Sequence, residues 1–189
     1  YHAEYVFLAN DGPTFYFKTD LDAPRYRVIA IDVTKPTERR EVIPEGAGVL
    51  ESADVFGDRV FCVYMTDAHN RVSEFGLDGK LRRELKLPGI GTVGGFSGLR
   101  SAKETFYSFT GFTTPPIIFR YDLTTDAQTV FREAQVAFDP TDYETKQIFY
   151  TSRDGTRVPM FVTNRKGIKL DGSNPTILYG YGGFNISRT

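Results

Sequence analysis

RVFCVYMT, residues Arg59–Thr66, is a run of β-branched and aromatic residues of the kind that favours strands, and two other stretches match it. They are PTFYFKT at residues 13–19 and ETFYSFT at residues 104–110. The aligned phenylalanines, Phe15, Phe61 and Phe106, lie 46 and then 45 positions apart. A period near 45 built only from strands is typical of a propeller with four-stranded blades. The sequence therefore predicts a mostly β fold of propeller blades.

The chain continues in the same way after each of the three runs. A second strand is predicted at 26–32, 71–76 and 116–122, and a turn follows it at 33–35, 77–79 and 123–126. A third strand is predicted in two of the repeats, at 81–87 and 128–131. A β-sandwich with evenly spaced strands remains the alternative. The lack of tryptophan argues only against the propeller type that carries a Trp-Asp signature.

Composition supports many short strands and limits the classes of partner. The chain has 16 Phe, 11 Tyr, 18 Gly and 10 Pro in 189 residues, with a net charge of −1. That charge gives no reason to expect nucleic acid or an anionic membrane surface, and no apolar run approaches the roughly 18 residues of a membrane span. Cys62 is the single cysteine and is predicted to be a small buried apolar residue. We expect a cytoplasmic location, with the periplasm as the alternative for a bacterial source.

The run TILYGYGGFNIS at 176–187 carries the strongest functional signal. Its continuous apolar part predicts a strand at 176–181 that is buried on both faces, as in a parallel sheet. Tyr181 would then lie at the carboxyl end of that strand, where open α/β sheets bind ligands. An aromatic of the core is the alternative for Tyr181. Since so few residues follow, we expect the chain to be a piece of a larger protein.

The repeat pattern breaks near residues 138–142, FDPTD, which are rich in turn formers. We therefore predict a partial propeller at 1–136 and the start of a second domain at 137–189. Within the second part, two strands at 146–152 and 157–163 flank RDGT, residues 153–156. A glycine in that position predicts a β-hairpin. Residues 164–174 are predicted to be a solvated connection.

Two motifs in the chain resemble known sites but lack the required context. GIGTVG at 89–94 fits a dinucleotide fingerprint, yet no helix pattern follows, so we predict a glycine-rich connection within a blade. GFSGL at 95–99 nearly matches a nucleophile elbow, but a strand follows it. Neither His2 nor His69 is a convincing general base, and no metal-ligand spacing is present. We expect no metal, no cofactor and no peptidase activity in this chain alone.

LYGYGGFNIS at 178–187 resembles the start of the catalytic domain in prolyl oligopeptidases. Five upstream segments match the same family in the same order: DY at 142–143, QIFY at 147–150, DGT at 154–156, PMF at 159–161 and KGIKLDG at 166–172. The resemblance is dense from about residue 130 to 187 and looser before. It implies a seven-bladed β-propeller joined to an α/β-hydrolase domain with a Ser-Asp-His triad. The chain would carry about three blades and the first strands of the hydrolase domain.

The resemblance also implies an activity and two site residues. It implies a serine endopeptidase that cleaves short proline-containing peptides on the carboxyl side of proline, while composition alone gave no reason to expect nucleic acid or a membrane as partner. Tyr181 matches the tyrosine that donates its hydroxyl to the oxyanion hole, a role that suits a rigid neutral donor. Phe184 matches the aromatic of the pocket for the substrate's proline, and the triad has no counterpart here. A standalone propeller-like binding module without catalysis remains the alternative.

Overall fold

The computed structural model describes residues 2–183 and 187, and strands dominate this part of the chain. Twelve strands form three four-stranded antiparallel sheets, each with its strands in chain order. The first blade contains β1 (Tyr5–Asp11), β2 (Thr14–Thr19), β3 (Arg27–Asp32) and β4 (Arg39–Ile43). The second contains β5 (Val49–Phe56), β6 (Arg59–Thr66), β7 (His69–Gly76) and β8 (Leu81–Glu84). The third contains β9 (Thr92–Ser97), β10 (Glu104–Thr110), β11 (Ile117–Asp122) and β12 (Gln128–Glu133).

The blades pack face to face, which explains why β6 is apolar without alternation. Val60 and Cys62 lie in the apolar cluster shared with the first blade, whereas Phe61 and Val63 lie in the cluster shared with the third. A strand covered on both faces carries apolar residues at consecutive positions. Cys62 is buried as predicted, and burial raises the pKa of its thiol to about 12. The predicted repeat of four-stranded units is confirmed.

Four of the twelve blade strands were not predicted. The first strand of each blade, β1, β5 or β9, contacts its counterpart in the neighbouring blade. β9 overlaps the segment at 89–94 that was predicted to be a glycine-rich connection, and this prediction is wrong for residues 92–94. A Cβ atom on Gly94 would lie 2.4 Å from the hydroxyl of Ser108, so glycine allows β9 to approach β10 closely. β4 was also missed, because its charged residues break the apolar pattern.

One end of the three blades contacts the hairpin that follows them in the chain. The connections at this end follow the even-numbered strands and comprise residues 20–26, 44–48, 67–68, 85–91 and 111–116. We call it the hairpin end, because a separate two-stranded sheet contacts it. That hairpin consists of β13 (Tyr143–Thr151) and β14 (Arg157–Arg165), and Gly155 in its turn has a φ of 87°. The predicted hairpin is therefore present, after a 3₁₀ turn at Pro140–Asp142.

The strand predicted at 176–181 is not formed. These residues have no strand pairing in the structure, and Ile177 and Leu178 are 93% and 87% exposed. A strand buried on both faces needs hydrogen-bonded neighbours and covering layers, and β13 and β14 pair only with each other within residues 2–183. Thus the expected α/β-hydrolase sheet is not seen in the residues that the structure describes. The described residues also contain no helix with the length and apolarity to cross a bilayer.

Candidate active-site groove

A groove of about 910 Å³ lies between the hairpin and the hairpin end of the blades. β14 contributes a largely apolar wall, residues 177–182 form a second wall, and the blades contribute Ala68 and Phe112. Its volume falls in the range usual for small-molecule and peptide-side-chain sites. It is the place where the segment with the strongest functional signal meets the propeller.

Tyr181 lines this groove and is 43% exposed. Within the described residues it does not lie in a packed core, and both the oxyanion role and the alternative of a core aromatic stay predictions. The predicted strand that would end at Tyr181 is not formed within residues 2–183, but the side chain is accessible to a molecule in the groove. Phe184, the second predicted site residue, lies outside the described residues.

Each strand of the hairpin makes a contact with the hairpin end of the blades. The side-chain amide of Gln147 in β13 donates a hydrogen bond to the carbonyl oxygen of Asp67, with an N···O distance of 2.5 Å. The ring of Phe161 in β14 lies 5.5 Å from that of Phe112, measured between centroids, with an interplanar angle of 44°. Both residues on the blade side belong to short loops, at 67–68 and 111–116.

The β6–β7 turn that carries Asp67 has an uncommon backbone. Asp67 and Ala68 have φ values of 49° and 63°. Two consecutive positive φ angles are those of a type I′ hairpin turn, which usually contains asparagine and glycine. Alanine in this region is unfavourable by about 1–2 kcal/mol. The turn directs the Asp67 carbonyl towards Gln147 and places Ala68 at the groove. His69, predicted to lie in a loop, is the first residue of β7.

A charged cluster joins the second and third blades away from the groove. The buried carboxylate of Glu74 contacts Arg59 at 3.0 Å, Arg82 at 3.3 Å and Arg83 at 3.2 Å, and it accepts a 2.9 Å hydrogen bond from the Tyr121 hydroxyl. Arg59 and Arg83 also pair with Asp126 of the third blade. The hydrogen bonds from Arg59 and then Arg83 lower the pKa of Asp126. Arg82 also lies 3.6 Å from Asp58. Three arginines therefore face three carboxylates, and we assign the cluster to blade packing.

The acidic, histidine and cysteine side chains of the described residues do not line the groove. No group of three or more His, Cys, Asp or Glu side chains in residues 2–183 and 187 is arranged to hold a metal ion. Asp54 on β5 is half-buried beside a separate cavity of about 300 Å³, and burial raises the pKa of its carboxyl to about 6. Tyr181 is thus the predicted site residue that the structure brings to a groove.

Comparison with known proteins identifies the larger context of the groove. Residues 1–134 match the family model described as the N-terminal β-propeller domain of prolyl oligopeptidase. The chain belongs to the prolyl oligopeptidase family. This match includes the whole of the three blades and confirms the predicted family, and it ends before the segment that carries Tyr181.

Individual relatives from the prolyl oligopeptidase family align with nearly the whole chain. A prolyl endopeptidase of Elizabethkingia miricola is 45% identical over 179 residues, which cover 94% of this chain and 25% of that protein. A solved prolyl endopeptidase structure superimposes with a TM-score of 0.90 at 39% identity, over 98% of this chain and 28% of its own. Prolyl oligopeptidase B from Galerina marginata gives 0.87 at 34% identity, over 97% of this chain and 27% of its own. The chain spans about a quarter of the length of the curated relatives it matches.

Sequence reasoning missed the blade residues of the groove. Phe112 follows β10 in a short loop, and Ala68 lies in a turn without glycine. Neither residue belongs to a motif that the prolyl oligopeptidase resemblance used. The local sign was an aromatic residue, Phe112, in a loop, where its side chain is expected to be exposed. Exposed apolar side chains are common on protein surfaces, so this sign does not by itself indicate a site.

Proposed function

We propose that this chain is part of a serine endopeptidase that hydrolyses short peptides on the carboxyl side of proline. The observation that carries the proposal is the position of Tyr181, half-exposed in a groove between the hairpin and the blades. The family supports the same reaction, because relatives that align with nearly the whole chain are prolyl endopeptidases. The chain contributes Tyr181, and the rest of the protein contributes the Ser-Asp-His triad.

Tyr181 would act on the tetrahedral intermediate of acyl transfer. When the serine attacks the peptide carbonyl, negative charge develops on the carbonyl oxygen, and a hydroxyl donor nearby stabilises that charge. Pro159, Met160 and Phe161 form an apolar wall beside Tyr181. Apolar surroundings exclude water and strengthen a hydrogen bond to an oxyanion. Phe184 would pack against the proline ring of the substrate, an apolar contact that needs no polar partner.

In this proposal the two parts of the chain have different tasks. Residues 137–189 begin the α/β-hydrolase domain, and residues 176–181 become a strand when that domain supplies the neighbouring strands. Residues 1–136 are blades of a propeller that limits access to the site, so short peptides are the substrates. We expect neither nucleic acid nor membrane among the partners.

The experiment is the substitution Tyr181→Phe in the complete protein, assayed with a fluorogenic peptide that contains proline. The change removes one hydroxyl and little volume, so it should act on the transition state and hardly on ground-state binding. Loss of one oxyanion donor costs about 10²–10³ in kcat in other serine peptidases. We expect a decrease of that order, with KM within about threefold.

The matched control is Tyr143→Phe, which removes the same hydroxyl from the hairpin outside the groove. It should leave kcat within about twofold. If Tyr181→Phe retains more than about half of wild-type kcat on a substrate limited by acylation, Tyr181 is not an oxyanion donor. If the wild-type protein cleaves no proline-containing peptide, and its gene ends soon after residue 189, the binding-module alternative replaces the peptidase.

A further inference from the structure

We propose that Arg100 joins three consecutive blades and thereby fixes the width of the propeller channel at the end opposite the hairpin end. We call this opposite end the far end. The part of the inference that concerns substrate size rests on the proposed function, whereas the part that concerns the blades stands on contacts alone. These contacts lie between complete four-stranded blades that follow one another in the chain, so each contact has both of its partners here.

The turns that join the first and second strands of each blade come together at the far end. They comprise residues 12–13, 57–58 and 98–103. Their first strands contact from blade to blade, β1 with β5 and β5 with β9. Because propeller blades are arranged around a central channel, the strands that meet in this way lie next to the channel. The three turns therefore border the opening of the channel at the far end.

Arg100, in the turn of the third blade, binds both of the other blades. Its Nε donates a hydrogen bond to the carbonyl oxygen of Gly57 at 3.1 Å, and the Gly57 amide donates to the Arg100 carbonyl oxygen at 2.7 Å. Its Nη1 donates to the carbonyl oxygen of Asn10 in β1, and its Nη2 lies 4.0 Å from the Asp11 carboxylate. One side chain thus extends from the third blade across the second to the first, a reach that it has only where the blades converge.

The guanidinium group suits this role because of its shape. It holds its N–H donors in a rigid planar fork, so it can bind two carbonyl oxygens that point in fixed directions. A lysine presents all of its donors from a single atom and cannot bind two separated carbonyl groups in the same way. The Arg100 side chain is 35% exposed, so water has limited access to these hydrogen bonds. Loss of the fork, rather than loss of the charge, should therefore release the turns.

Gly98 brings the turn of the third blade close enough for these contacts. It belongs to GFSGL at 95–99, the segment that nearly matches a nucleophile elbow. A Cβ atom on Gly98 would lie 3.2 Å from a ring carbon of Phe56, the last residue of β5, which is a tighter approach than Cβ atoms usually make. Glycine therefore lets this turn lie against the end of β5, directly beside Gly57. The segment thus serves the contact between the second and third blades.

The test uses the complete protein and the variants Arg100→Met and Arg100→Lys. Methionine keeps an unbranched side chain without the donors, and lysine keeps the positive charge without the fork. The first measurement is hydrogen exchange of the amides at residues 10–14 and 57–59, which does not depend on activity. Arg100→Met should increase exchange in both segments several-fold, and Arg100→Lys should do so nearly as strongly. The amides of β3 and β7 should not change.

Lys103→Met is the matched control, because it removes an exposed cation from the same turn. It should leave exchange at residues 10–14 and 57–59 unchanged. If Arg100→Met leaves exchange in both segments unchanged, Arg100 does not join the blades, whatever the protein cleaves. If Arg100→Lys keeps full protection, attraction to the Asp11 carboxylate holds the turns, and the role of the planar fork is wrong.

The part that concerns substrate size is measured with two fluorogenic peptides, one short and one several-fold longer, which share the sequence around the proline. If the channel limits access to the site, a wider opening at the far end should admit the longer peptide. Arg100→Met should therefore raise kcat/KM for the longer peptide several-fold and leave kcat/KM for the short peptide within about twofold. Lys103→Met should change neither value.

The two measurements separate the parts of the inference. Increased exchange with an unchanged ratio of the two kcat/KM values would retain the contact between the blades and refute the control of substrate size. A wild-type protein that cleaves neither peptide would refute the proposed function, and the exchange result alone would then decide whether Arg100 joins the blades.

Discussion

The charged cluster between the second and third blades gives the sharpest stability prediction. Glu74 is fully buried, and its two oxygens accept contacts from three arginines and one tyrosine. Glu74→Gln keeps the shape of the side chain but removes the charge and turns one acceptor into a donor. Whichever way the new amide is oriented, its NH₂ group must face either Arg59 and Arg82 or Arg83 and Tyr121.

The magnitude follows from the burial of the cluster. Breaking a buried charge pair from one side costs about 3–5 kcal/mol, because the other charge is left uncompensated. Asp126 still pairs with Arg59 and Arg83 after the substitution, so we expect the low end, about 3 kcal/mol. The matched control is Glu104→Gln. Glu104 pairs with Arg120 at 2.5 Å, but both side chains are about 44% exposed. Exposed pairs of this kind contribute about 0–1 kcal/mol.

The assay is native-state hydrogen exchange of the β7 and β11 amides in the complete protein, which reports a local free energy of opening. This local measurement does not require the complete protein to unfold in a single two-state step. Glu74→Gln should lower the opening free energy in both strands, since the cluster joins the two blades. If the loss exceeds that of Glu104→Gln by less than about 1 kcal/mol, the cluster does not hold the blades together.

Three further predictions follow from other parts of the chain. Burial raises the pKa of Asp54 to about 6, so the folded state keeps a proton that the unfolded state loses between about pH 4 and pH 6. The free energy of unfolding therefore falls as pH rises through that window. Asp54→Asn should raise the free energy of unfolding by about 1–2 kcal/mol at pH 8 and hardly at all at pH 4, measured by hydrogen exchange at the two pH values. Ala68→Gly should stabilise the β6–β7 hairpin by up to about 1 kcal/mol, measured by hydrogen exchange. Glycine adopts a positive φ without the cost that alanine has, and its larger loss of entropy on folding offsets part of this gain. A clear decrease in the free energy of opening would contradict strain in the turn. The 189-residue chain alone should associate through the exposed aromatic faces around Phe7 and Phe131, and a strictly monomeric sample would contradict this. The same chain should not be labelled by a fluorophosphonate, and a specifically labelled serine would contradict the expected lack of activity.

The blades could be predicted because their pattern is local. The runs around Phe15, Phe61 and Phe106 are apolar enough to mark the second strand of each blade, and the turns after them have the usual turn residues. The first strands of the second and third blades, β5 and β9, could not be found in this way. β9 contains Gly94 and Gly95, whose presence reflects close approach to β10 and not a loop. β5 carries Glu51 and Asp54, so its polar positions obscure the apolar ones.

The groove is predictable only in part, because its contacts join residues that are distant in the chain. The resemblance identified Tyr181 from a local motif, but the partners across the groove were beyond any such pattern. Asp67 and Gln147 are 80 positions apart, and no spacing rule connects them. The strand predicted at 176–181 was not found for the same reason. An apolar run shows that a segment can be a buried strand, but the neighbouring strands and covering layers decide whether it forms one. In this chain the local pattern therefore determines the blades, and long-range contacts determine where the segment with Tyr181 lies.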